Sequence, residues 1–261
     1  MAFVRSGEAQ IYYEVHGDRS RPAVTLAHGR GGNAASWWQQ VPALSSQYCV
    51  VVFDHRCFGR SICPPEAFDR EHFDNDLLAI LDEEGIKKTA VVCQSMGGWT
   101  GLRTAVLHAH RVSCLVLSNT PAGVNSPKAK AALENSRRRF AEVGVSQAAV
   151  ADNFRDRNPE GAYLYAHITG MNTGLPKDLS IGGRGDITQA QLSGYSVPTL
   201  MITSENDGLF PPEVIREVAS IIPGAQIAEL PTAGHSPYFE TPTAFNDTVG
   251  AFLSEHLHKL V

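Results

Sequence analysis

The sequence predicts an α/β fold built on a mostly parallel sheet, and three observations carry that expectation. Short apolar runs recur along the chain. Helical segments lie between them. The residues with chemical potential sit just after the runs end. A strand buried on both faces reads as a continuous apolar run, whereas a half-exposed strand alternates.

Residues 10–15 alternate and read as an antiparallel edge strand. Residues 23–27, 48–53, 89–93 and 112–117 are continuous apolar runs, and each reads as a buried strand. Between them, residues 73–84 place Leu77, Leu78, Ile80 and Leu81 on one helical face, with Gly85 as a stop. Residues 96–108 read as a helix of small residues. Gly97, Gly98 and Gly101 disfavour a helix unless a neighbour packs closely against it.

The rhythm breaks at residues 122–195, which are polar and helix-prone and later turn glycine-rich at Gly182-Gly183-Arg184-Gly185. We read a helical insertion there, with Arg137-Arg138-Arg139 on a solvated face. The alternation resumes with strands at 199–203 and 226–230 and helices at 212–222 and 243–257. The expected organisation is a core of residues 1–121 and 196–261, with a cap of 122–195 inserted.

Composition narrows the function classes. The chain has 261 residues, 43% of them apolar and 19% charged, with a net charge of −5. An acidic balance argues against nucleic acid, which selects a basic face. No apolar run approaches the ~20 residues that span a bilayer, and the N-terminus has no basic stretch followed by an apolar run. We expect a cytoplasmic protein with a small-molecule substrate, no membrane or nucleic-acid partner, and a monomeric or homodimeric state. The five cysteines are odd in number and scattered, which argues against a full disulfide framework. Cys49, Cys93 and Cys114 read as buried thiols, and Cys57 and Cys63 as loop residues open to solvent. No Cys-x-x-Cys or His-x-x-x-His spacing offers a zinc site, so no metal or cofactor is expected.

Four segments carry the chemistry. In Cys93-Gln94-Ser95-Met96-Gly97-Gly98 a buried strand ends, a serine follows, and a glycine-rich helix begins. Such a serine is either an ordinary N-cap or a nucleophile held on a strained turn, which requires small neighbours two residues away on each side. His28-Gly29-Arg30-Gly31-Gly32 follows another strand. It lacks the phosphate-loop and dinucleotide patterns, because residue 34 is alanine. It reads instead as a donor loop, with the backbone N–H of Arg30 pairing with that of Met96 to face an oxyanion. His28 would brace the loop. The Arg30 side chain either points to solvent or meets a substrate carboxylate, which a guanidinium suits. Ser204-Glu205-Asn206-Asp207 follows a strand and offers two carboxylates, of which Asp207 is preferred. Ala233-Gly234-His235-Ser236-Pro237 places His235 before the last helix. Trp37, Trp38, Trp99, Tyr163 and Phe210 are either pocket lining or core.

These segments, with Asp54-His55-Arg56-Cys57-Phe58-Gly59-Arg60-Ser61, resemble the α/β-hydrolase superfamily over nearly the whole chain. The likeness points to its capped group of enol-lactone hydrolases, C–C bond hydrolases, esterases and cofactor-free haloperoxidases. The resemblance implies an eight-stranded, mostly parallel sheet flanked by helices, with an inserted helical cap. It further implies a Ser95–His235–Asp207 triad, in the order expected for this fold, an oxyanion hole from the Arg30 and Met96 amides, and substrate contacts from Arg30, Trp99 and Phe210. Three positions depart from the pattern: Cys93 and Cys57 stand where glycine is usual, and Arg30 puts a guanidinium beside the implied oxyanion hole. The implied activity is hydrolysis of an ester, a lactone or an activated C–C bond through an acyl-enzyme on Ser95. A haloperoxidase or perhydrolase, or a non-catalytic small-molecule receptor, would share the fold.

Overall fold

The computed structural model describes residues 1–175 and 185–257. Residues 182–184 of the glycine-rich stretch, and His258, lie outside the described residues. The strands are β1 (Ala2–Ser6), β2 (Ala9–His16), β3 (Ala23–Ala27), β4 (Cys49–Phe53), β5 (Thr89–Gln94), β6 (Val112–Ser118), β7 (Thr199–Ser204) and β8 (Gln226–Leu230). They form one eight-stranded sheet in the order β1-β2-β4-β3-β5-β6-β7-β8. β1 and β2 pair antiparallel, as do β2 and β4, and every other neighbour pair is parallel. The longer helices are α1 (Phe73–Glu83), α2 (Gly97–Leu107), α3 (Pro127–Val143), α4 (Pro159–Gly170), α5 (Pro212–Ile221) and α6 (Pro242–Leu257).

The expected mostly parallel sheet is present, with one correction at its margin. Residues 10–15 belong to an antiparallel strand, but β2 is not the edge, because β1 lies outside it. β1 and β2 form a hairpin in which Ser6 pairs with Ala9, and Gly7, at φ 57°, takes the positive-φ position of the turn between them.

The central strands are buried on both faces because their alternate side chains feed two separate cores. Val91, Cys93, Leu115 and Leu117 pack with Leu77, Leu81 and Leu102 on one side. Val92, Val116, Leu26 and Val50 pack with Trp37, Tyr238 and Phe252 on the other. Continuous apolar runs are the sequence trace of this arrangement.

Between β6 and β7 the chain carries α3, α4 and two single-turn helices, Val145–Ala148 and Phe154–Arg157. Ser126 caps α3 by accepting the Ala129 N–H at 3.1 Å, and Pro127 takes the first helical position, where its missing N–H does no harm. Among the described residues the segment has no separate core. Ala129 and Ala132 join one face cluster of the sheet, and Phe154, Tyr165 and Ile168 join the other.

The turn from Asp54 to Ser61 is a structural brace. Asp54 accepts the backbone N–H groups of Ala34 at 2.6 Å and Arg60 at 2.7 Å. Ser61 Oγ donates to the Asp54 carbonyl at 2.6 Å and accepts the Tyr12 N–H at 2.8 Å. Here the cysteine reading needs correction. Cys57 is buried and joined to Cys63 in a disulfide, so it is not an open loop thiol. The link spans six positions of one turn, a pairing that composition and spacing do not reveal. Cys49, Cys93 and Cys114 are buried free thiols.

Candidate active site

β3, β5, β7 and β8 run parallel, so the loops that follow them open on one edge of the sheet, where open α/β sheets place their ligand sites. His28, Ser95, Asp207 and His235 all lie in those loops.

Ser95 follows β5 directly and has φ 49°, a left-handed conformation that costs a side-chain-bearing residue free energy. Its N–H donates to the Ser118 carbonyl at 3.0 Å, and its carbonyl accepts the Gly98 N–H at 2.9 Å, so strand and helix hold the turn from both sides. Gly97 is required by a close approach. A β-carbon there would lie 2.1 Å from the Ala27 carbonyl oxygen.

His235 Nε2 lies 2.8 Å from Ser95 Oγ, and its Nδ1 lies 3.0 Å from Asp207 Oδ2. Asp207 is fixed by three donors: the N–H groups of Leu209 (2.8 Å) and Phe210 (3.0 Å), and Asn119 Nδ2 (2.9 Å). With the carboxylate accepting at Nδ1, the neutral imidazole carries its proton there and presents the Nε2 lone pair to the serine hydroxyl. Glu205, the other carboxylate of its segment, is exposed and accepts the Thr232 N–H at 3.4 Å, away from the imidazole.

The glycine-rich loop after β3 is held by His28. Its Nδ1 donates to the Gly29 carbonyl at 2.7 Å, and its Nε2 accepts the His55 N–H at 2.9 Å. Burial lowers the His28 pKa from 6.5 to about 4, consistent with a ring that needs Nε2 as an acceptor. Gly29 packs against the elbow, where a β-carbon would lie 3.1 Å from Ser95 Cβ. Among the described residues, neither the Arg30 nor the Met96 backbone N–H is donated to a protein acceptor. Free amides beside a hydroxyl can receive developing negative charge.

A cleft of about 350 Å³, counting its open mouth, lies over Ser95. Arg30, Met96, Trp99 and Phe210 line it from the sheet side, and Leu133, Ser136, Arg137 and Phe140 from α3. The Arg30 guanidinium turns inward and sits over the Phe140 ring at 4.8 Å, so the solvent-facing alternative is corrected. Trp37 is core, packed on Tyr238 at 4.6 Å, while Trp38 and Tyr163 are half or more exposed and lie off the cleft. Of the three arginines read as a solvated face, Arg138 is exposed, Arg139 pairs with Asp152, and Arg137 stands at the cleft.

Three supporting residues escape sequence reasoning. Asn119 holds Asp207. Gln94 Nε2 donates to the His235 carbonyl at 2.9 Å. Glu240 accepts the N–H groups of Gly234 and Ser236, each at 3.1 Å, on either side of His235. Gln94 is adjacent to Ser95, and that adjacency was its only signal. Asn119 and Glu240 lie far in sequence from what they hold. Among the described residues, no group of three or more His, Cys, Asp or Glu is placed to hold a metal ion, and no helix is long and apolar enough to cross a membrane.

A family model described as "alpha/beta hydrolase fold" matches residues 22–179. The chain is 30% identical over 250 residues to "Putative carbamate hydrolase RutD" of Klebsiella pneumoniae, covering 90% of this chain and 92% of the relative. The protein of the same name from Azorhizobium caulinodans is 27% identical over 98% of this chain and 99% of its own. Among solved structures, the enol-lactonase from Burkholderia xenovorans LB400 superposes with a TM-score of 0.78 at 26% identity, covering 97% of this chain and 100% of that one.

Proposed function

The chain belongs to the α/β-hydrolase family, and from that premise we propose that it is a serine hydrolase cleaving an ester, lactone, carbamate or activated C–C bond of a small substrate. The observation that carries the reading is the unbroken relay from Asp207 through His235 to Ser95, with spacings of 3.0 and 2.8 Å, at the floor of a cleft. The names of the relatives, a carbamate hydrolase and an enol-lactonase, extend the substrate range to carbamates and favour lactones within it.

In this reading His235 Nε2 takes the hydroxyl proton as Ser95 Oγ attacks the substrate carbonyl. Asp207 holds the imidazole in the required tautomer and stabilises the cation that forms. The carbonyl oxygen, now an oxyanion, turns toward the free amides of Met96 and Arg30, and losing one such donor typically costs ~3 kcal/mol of barrier. His235 then protonates the leaving group, and the acyl-enzyme is hydrolysed by a water that His235 activates in turn. None of these steps calls on a metal or organic cofactor. Residues 122–195 act as a lid, with α3 supplying the far wall of the cleft. Trp99 and Phe210 supply apolar contact to the substrate.

The test is labelling with a fluorophosphonate probe, together with a panel of esters, lactones, carbamates and β-diketones. Wild type should label and turn over at least one class. Ser95→Ala should lose the label and roughly 10⁶-fold in kcat, as other triads do. Turnover retained by Ser95→Ala would overturn the reading. A wild type inert to both probe and panel would favour a receptor. Halide- and peroxide-dependent bromination exceeding hydrolysis would favour a haloperoxidase.

A further inference from the structure

We propose that the substrate carries a carboxylate a short spacer away from the scissile carbonyl, and that the Arg30 guanidinium receives it inside the cleft. The inference rests on the serine-hydrolase reading and narrows its substrate class.

Arg30 is mostly removed from solvent, yet among the described residues it has no ion-pair partner. Its Nε is buried with no hydrogen-bond partner among those residues, and its guanidinium touches the Phe140 ring. The other lining residues are apolar, apart from Ser95, Ser136 and a second arginine, Arg137. None of them is acidic. Burial, followed by the like charge of Arg137, lowers the Arg30 pKa. Folding therefore leaves a largely buried guanidinium with no acidic neighbour in the cleft lining, which costs solvation in the unliganded protein. Buried charges are ordinarily paired. The missing partner is an anion, and the cleft is where it would enter.

The chemistry favours a carboxylate over a phosphate. The walls formed by Met96, Trp99, Leu133, Phe140 and Phe210 are apolar, and the desolvation penalty of an anion grows with its charge. A planar carboxylate also matches the fork of a guanidinium. The spacer is short because one residue handles both ends. Arg30 offers its backbone N–H to the oxyanion and its side chain to the anion. The two groups can therefore be no further apart than one arginine side chain reaches.

The experiment compares, by phenol release, monophenyl adipate with the phenyl ester of adipic acid monoamide, two phenyl esters of nearly equal shape of which only the first carries a remote charge. Wild type should show a kcat/KM ratio of at least about tenfold in favour of the anion, the lower end of what a charge-assisted hydrogen bond contributes. Arg30→Met should bring the ratio to about one, and Arg137→Met should reduce it in part. A wild-type ratio of one or below, with Ser95 labelled by fluorophosphonate and the neutral ester turned over, overturns this inference and leaves the hydrolase reading standing. So does a ratio unchanged in Arg30→Met. Failure of Ser95 to label would sink the underlying reading instead. The wild-type comparison needs no variant, so a poorly folding substitution does not shield the proposal.

Discussion

Cys93 and Gly101 are packed directly against one another: a β-carbon on Gly101 would lie 2.3 Å from the Cys93 sulfur. Cys93 stands where the family's elbow usually carries glycine, and the bulk added on the strand is matched by bulk missing on α2. Gly101→Ala should therefore destabilise the protein by about 1–3 kcal/mol, the usual range for overpacking. Cys93→Gly should relieve part of that. In a double-mutant cycle read by urea denaturation, the double variant should lose less stability than the sum of the single losses. Strict additivity would mean that the two sites do not share the space.

Asn119 is the second support worth removing. It has φ 51°, and its side-chain amide donates to Asp207 Oδ2 at 2.9 Å, while its Oδ1 accepts Ser118 Oγ–H at 2.8 Å. Without that donor the carboxylate keeps the Leu209 and Phe210 amides but loses its lateral restraint. Asn119→Ala should lower kcat roughly tenfold to a hundredfold, since a hydrogen bond to a charged group contributes ~1.5–3 kcal/mol. KM should change little, because Asn119 does not line the cleft. A change confined to KM would contradict this positioning role.

What was legible in the chain and what was not follows from how far each contact reaches. The sheet could be read because burial on both faces leaves an uninterrupted apolar run in each strand. The elbow could be read because its constraints are local: Ser95 at φ 49° needs Gly97 beside it, two positions on. β1 was missed because an edge strand buries only one face, and its pattern in Ala2–Ser6 is too short to stand out. Asn119 lies 88 positions from Asp207, so no local spacing links them. The direction of the Arg30 side chain was undecided for the same reason, since the ring it meets, Phe140, lies on α3, 110 positions away.

Glu240 joins the His235 loop to the segment between β6 and β7. Its carboxylate accepts the N–H groups of Gly234, Ser236 and Ala151, the last at 3.0 Å. A β-carbon on Gly234 would lie 2.2 Å from the Ala151 nitrogen, so the two loops touch backbone to backbone. Glu240→Gln preserves shape but turns an amide N–H₂ toward donors it cannot satisfy. We expect a loss of about 1–3 kcal/mol in urea denaturation, the penalty for an unmade buried hydrogen bond. Hydrogen exchange at Ala151, Gly234 and Ser236 should accelerate together. Acceleration at Ala151 alone would mean that the carboxylate does not couple the two loops.

The His28 ring makes the fold sensitive to acid in a definite window. Its folded pKa is about 4 against an ordinary 6.5, because the buried ring loses its solvation when charged. The unfolded chain takes up this proton first as pH falls, so stability is fully present above about 6.5 and declines toward 4. At ~1.4 kcal/mol per pH unit, the decline from this one residue is roughly 3 kcal/mol. Protonation would also remove Nε2 as acceptor for the His55 N–H, and so would loosen the loop that carries Arg30. His28→Gln keeps an acceptor and abolishes the titration. Unfolding free energies measured between pH 7 and 4 should therefore fall less steeply in His28→Gln than in wild type. Groups away from His28 titrate alike in both proteins and cancel in that difference; His55, whose pKa burial and then the His28 charge lower, is the neighbour that does not cancel fully. Equal slopes would mean that His28 does not experience the burial assigned to it.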